Sequence, residues 1–89
     1  MEIREKIFKE IDEEREYQNS RWGTEFDDKN TLNDWNTYIG IYGGYAAEMF
    51  RTKEEQRKYM LKVAALAVAA LETFGKNDGF PPRHYDKTQ

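Results

Sequence analysis

The run Val63–Leu71, VAALAVAAL, constrains this chain more than any other stretch. Its alanine and leucine content favours a helix, and the helix is apolar on every side. A helix of that kind must be covered on every side. Thr52-Lys53-Glu54-Glu55 has the T-x-x-E form of a capping box and opens this helix, and Gly75 suits the left-handed position just past its end. The helix is therefore expected over 53–74, with Tyr59, Met60, Val63, Ala67, Leu71 and Phe74 on its buried face. Little else is available to cover it. In 89 residues, 38% are hydrophobic and 35% charged, which describes one small domain with a thin core. Homo-oligomerisation through Val63–Leu71 is the economical solution.

The preceding segment supplies one covering helix. Trp35, Tyr38/Ile39, Tyr42, Tyr45/Ala46 and Met49 recur at helical spacing, which predicts a second helix over 32–51. Thr31 followed by Asp34 supplies its N-cap. Its short linkage to the last helix makes an antiparallel hairpin. Gly40, Gly43, Gly44, Ala46 and Ala47 leave part of the second helix nearly bare. Each glycine costs about 1 kcal/mol relative to alanine, so the close approach of another helix or room for a flat ligand is implied.

The first helix is expected over 2–20. Ile3, Ile7 and Ile11, with Phe8 beside them, form an apolar stripe that continues into Arg15, Gln18 and Trp22. The inward face thus turns polar in its last turns, and a buried guanidinium requires an acceptor. Two readings are open and compatible: Arg15 pairs with an aspartate from the following connector, or Arg15 and Gln18 wall a ligand pocket. The carboxylates Glu10, Asp12, Glu13, Glu14 and Glu16 stand beside Lys6, Lys9 and Arg15 and read as surface pairs. A polar loop follows: Gly23 permits a turn, and Asp27-Asp28-Lys29-Asn30 is too polar to extend a helix.

The expected fold is all-α. A three-helix antiparallel, bundle-like subunit spans 1–75, and an extended C-terminal tail, 76–89, docks through Phe80 and Tyr85. Cysteine is absent, which removes disulfides and thiolate chemistry and fits a reducing cytoplasm. No apolar run approaches the roughly 20 residues of a membrane span, and the N-terminus lacks a signal-peptide centre. The net charge of −3, with its signs interleaved, gives no basic face for long nucleic acid but leaves a small nucleotide open. There is no nucleophile triad, HExxH pair or glycine-rich phosphate loop. No catalytic residue, metal or cofactor is expected.

A small-molecule site is expected where the first helix meets the connector. Trp22, Trp35 or Tyr38 would stack on a flat ring. Gln18, Asp28, Asn30 and Thr31 would meet a base or ribose, and Arg15, Lys62 or Arg83 a phosphate. Asp27 and Asp28 read as hydrogen-bond acceptors or partners of Arg15 or Arg83. His84 and Tyr85 join the site from the tail. Lys62, just before the apolar run, either snorkels to its edge or places a positive charge in a cleft.

Three segments carry a resemblance. ERxxQ with a following WG (Glu14, Arg15, Gln18, Trp22, Gly23), DDKNTxNDW (Asp27–Trp35), and KVAALAVAAxE (Lys62–Glu72) with PRHYD (Pro82–Asp86) resemble a family of small phage- and prophage-encoded proteins. In a phage setting the resemblance implies, by analogy with phage sponge proteins, sequestration in the host cytoplasm of a host immune signal such as a cyclic nucleotide or an ADP-ribose derivative. More distantly, the chain is similar to MazG-like all-α nucleoside triphosphate pyrophosphohydrolases. Those hold Mg²⁺ with ExxE and ExxD pairs, yet Ile39, Gly40, Tyr42 and Gly43 stand in one expected region and Tyr59 and Lys62 in the other. The alternatives to a non-catalytic nucleotide binder are a hydrolase with ligands moved to Asp27, Asp28, Asp34 and helix-one glutamates, and an adaptor that binds a protein.

Overall fold

A computed structural model of the chain describes residues 2–74. Those residues form three helices and no strand: α1 spans Glu2–Lys29, α2 Leu32–Ala46 and α3 Lys53–Glu72. Gly75 and the tail, with Arg83, His84 and Tyr85, lie outside the described residues. No described helix is long and apolar enough to cross a membrane.

Helix α3 lies between the other two and packs against both, while the backbones of α1 and α2 keep apart. The alanine-rich sequence allows this close packing. Ala65, Leu66, Ala69 and Ala70 are buried, and Trp35 of α2 lies across them to form the centre of the core. Both hairpin helices start as their sequences require. Thr31 accepts from the Asp34 N–H at 3.0 Å and Thr52 from the Glu55 N–H at 3.1 Å, with each carboxylate returning to the cap N–H.

The polar loop expected after the first helix is instead helical, so α1 continues to Lys29. Gly23 does break the direction, at φ 81° and ψ 169°, a region that only glycine occupies comfortably. Beyond it the helix resumes because its side chains dock. Phe26 meets Trp22, Trp35 and Tyr38, with ring centroids 5.2–6.4 Å apart, and Asp27 bonds Arg15. Tertiary contact overrides the turn-prone composition of Asp27–Asn30. Helix α2 ends at Ala46 rather than at 51, and its predicted stripe loses Met49, which is 99% exposed.

The described residues cover only one side of α3. Met60, Leu71 and Phe74, expected on the buried face, are 54%, 74% and 65% exposed. Ile3 and Phe8 of the α1 stripe are exposed too, leaving Ile7 and Ile11 half-buried. Nor do the α2 glycines answer a neighbour within the chain, because a Cβ at Gly40, Gly43 or Gly44 would meet nothing within 4 Å.

Candidate functional site

The polar end of the α1 stripe is built as two adjoining layers. The inner layer is a lock around Arg15. Its Nη2 donates to Asp27 Oδ2 at 2.6 Å and its Nε to Glu72 Oε1 at 2.7 Å. Burial works against the charged guanidinium, but the bonds from Asp27 and Glu72 outweigh it and push the Arg15 pKa up, so the charge is secure. The lock ties the segment after the Gly23 kink to the segment before it and both to the end of α3. Of the two readings of Arg15 from sequence, the pairing with a connector aspartate is thus realised.

The outer layer is a pocket of about 180 Å³ lined by Tyr17, Gln18, Arg21, Trp22, Tyr42 and Lys62. It brings together residues from all three helices. Lys62 reaches it from α3, and its Nζ lies 3.1 Å from Glu14 Oε2 and 5.6 Å and 5.9 Å from the Tyr17 and Tyr42 ring centroids. Two ring faces and one carboxylate hold this cation against the pocket wall. Gln18, buried from solvent, donates its Nε2 to the same Glu14 oxygen at 3.3 Å. Glu14 therefore fixes which way the amide points, leaving Gln18 Oε1 without a partner. Arg21 enters none of the ion pairs among the described residues. Trp22 stands at the rim, 40% exposed.

Of the residues singled out from sequence, Gln18, Trp22 and Lys62 meet in this pocket, and Arg15 and Asp27 form the lock beside it. The others are occupied with the fold. Trp35 is 1% exposed and its Nε1 donates to Thr73 Oγ1 at 3.0 Å, so its indole face is taken up by the core. Tyr38 stacks on Phe26 and meets Trp35 edge-on. Thr31 caps α2. Asn30 is buried with Nδ2 unpartnered, and Asp28 is exposed. Tyr17, Arg21 and Tyr42 were missed. Tyr17 and Arg21 could have been found, since they are four residues apart and flank Gln18 and Trp22 on one helical face. Tyr42 looked like any other member of the α2 core stripe.

Three further buried atoms lack a partner: Arg15 Nη1 and Asp27 Oδ1 within the lock, and Asn30 Nδ2 at the end of α1. Ordered water would satisfy such groups. The carboxylates are engaged elsewhere: Glu10 with Arg57, Glu14 with Lys62, Asp27 and Glu72 with Arg15, and Asp34 with the α2 cap. Among the described residues no three Asp, Glu or His side chains converge as a metal-holding group. The arrangement suits recognition of a flat ring by Trp22, Tyr17 and Tyr42, with an anionic group received by Arg21 and Lys62. Compared with family models, curated proteins and solved structures, the chain finds no match.

Proposed function

We propose that the chain is a homo-oligomeric helical protein that binds a nucleotide-like small molecule without turning it over. The resemblance to small phage and prophage proteins gives this binding a purpose, the sequestration of a host nucleotide signal in the cytoplasm. One observation carries the reading: aromatic faces, two cations and an oriented buried amide line a single pocket at the junction of three helices. At about 180 Å³ it falls below the roughly 300–1,000 Å³ of a site enclosing a drug-sized ligand. It seats one ring, and the charged remainder lies outside, over Arg21.

The two tryptophans make the test direct. Trp35 is sealed in the core while Trp22 stands at the rim, so ligand quenching of indole fluorescence should vanish in Trp22→Phe. Thermal shifts with nucleoside phosphates and cyclic dinucleotides should reach several degrees for the true ligand, and be abolished in Lys62→Ala and Trp22→Ala. No shift with any nucleotide would overturn the reading. Mg²⁺-dependent pyrophosphate release from a nucleoside triphosphate would replace it with the hydrolase reading.

One observation favours a protein-binding adaptor as the second reading. Met49 and Phe50 project from the α2–α3 turn, both highly exposed, with the Arg51 guanidinium 4.8 Å from the Phe50 ring centroid. A partner engaged there would be lost in Met49→Ser/Phe50→Ser, with the nucleotide shift unchanged.

A further inference from the structure

We propose that the outward face of α3 docks on the same face of a second copy of this chain, the two α3 helices running antiparallel across a two-fold axis near Ala64. This rests on the homo-oligomeric part of the proposed function and adds which surface is used and how.

The surface is the side of α3 that the described residues leave bare. Arg57, Met60, Ala64, Ala67 with its neighbour Val68, and Leu71 recur at steps of three and four, all exposed or half-buried. Its flanks are also apolar. Met60 and Arg57 line both a groove of about 400 Å³ with Gly43, Ala46 and Ala47 of α2 and one of about 190 Å³ with Ile7 and Ile11 of α1. The stripe therefore lies between α1 and α2, and the three helices present one continuous face. Side by side and each about 10 Å wide, α1 and α3 contribute about 30 Å of length each and the 15-residue α2 about 22 Å, which gives roughly 800 Å². A standard stable interface takes about 800 Å² from each partner.

The second copy is identified by self-complementarity. The stripe is nearly symmetric about Ala64: Met60 and Val68 stand four residues to either side, and Arg57 and Leu71 seven. Running antiparallel, the small centres at Ala64 meet, each Met60 faces Val68 of the other copy, and the helix dipoles oppose. Arg57, tied to Glu10 of its own copy, lies over Leu71 of the other and covers it with its aliphatic stem. The α2 glycines also acquire a reason, since the bare groove at Gly43 admits a neighbouring helix that the described residues do not supply.

The proposed interface is separate from the ligand pocket. Lys62 is two residues from both Met60 and Ala64, about 200° around the helix axis, so it points to the other side of α3.

The absence of cysteine provides a clean test. Ala64→Cys and, as a control on another side of α3, Lys58→Cys are each treated with a short bismaleimide and sized by sedimentation. The proposal expects wild type to sediment as two or more chains, Ala64→Cys to cross-link efficiently to itself, and Lys58→Cys to give only traces. Helical circular dichroism of each variant confirms folding. An oligomer that persists while Ala64→Cys fails to cross-link would overturn this face and leave the oligomeric reading standing. A monomer at all concentrations would remove both, while nucleotide binding is read independently by Trp22 fluorescence.

Discussion

The lock between Arg15 and Asp27 offers the sharpest quantitative test of the fold at the site. The two side chains are 13% and 5% exposed, and their atoms lie 2.6 Å apart. Arg15 keeps a second partner in Glu72, but that carboxylate is more than half exposed and well screened. In Asp27→Leu the guanidinium remains where water hardly reaches, held only by Glu72. Breaking a fully buried pair costs about 3–5 kcal/mol. With the Glu72 contact retained, a loss of about 2–3 kcal/mol is expected, which for a domain of this size lowers the melting temperature by roughly 8–20 °C. Arg15→Met should cost a similar amount, because Asp27 already lacks a partner for Oδ1 and would lose the one for Oδ2. The double variant places two apolar side chains together and should be far closer to wild type than the sum of the singles. Urea denaturation followed by circular dichroism, at one fixed protein concentration, measures all four corners. Additive effects, or a cost below about 0.5 kcal/mol for Asp27→Leu, would mean that the pair is solvated and that the segment after the kink is not docked by it.

Two further outcomes follow from local geometry. Gly23→Ala should lose about 1–3 kcal/mol in the same urea assay even though its Cβ would meet nothing within 4 Å, because the cost lies in the backbone angles; an unchanged midpoint would refute the kink. Glu10 and Glu55 should steepen the acid limb of stability. The Arg57 side chain holds Glu10, and the Thr52 N–H holds Glu55, below the ordinary carboxylate range. Their contribution is therefore complete above that range and lost as pH falls through the lowered values. Both are partly exposed and screened by solvent, so the effect is small, and Glu10→Gln/Glu55→Gln should show a flatter acid limb in midpoint against pH; an identical limb would refute it.

The helix starts were legible because each is a local event: Thr31 with Asp34, and Thr52 with Glu55, need only their own turn. The Arg15–Asp27 pair was legible for a different reason, since a guanidinium on an inward face demands a carboxylate wherever the chain can bring one. The path of residues 24–29 was not. Asp27-Asp28-Lys29-Asn30 read alone is turn-like, and only the docking of Phe26 among three rings and of Asp27 on Arg15 makes helix the better state. Trp35 and Tyr38 show the same limit at the site. An aromatic beside polar residues looks like a stacking platform in sequence, and whether its face is free depends on what lies across the helix. For Trp35 that is Leu66, Ala69 and Ala70; for Trp22 it is Phe26 on one side and the pocket on the other.

The alanine-rich stretch of α3 links these results. Small side chains let α1 and α2 pack on one helix, but each alanine buries little apolar area, so the described core holds only two large, fully buried side chains, Trp35 and Leu66. About 25 cal/mol per Å² of buried apolar surface leaves such a subunit little to spare. Polar locks at the edge, such as Arg15 with Asp27, therefore carry more of the fold than they would in a larger domain. The same scarcity explains why one helix needs two apolar faces. The inner one orders α1 and α2 so that Gln18, Trp22, Tyr42 and Lys62 converge. The outer one, with Met60, Val68 and Leu71 left bare by the described residues, is the face proposed to meet a second copy. An interface variant should then weaken nucleotide binding only as far as it loosens the inner packing, in proportion to its loss of stability. A pocket variant such as Lys62→Ala should abolish binding while the assembly remains intact.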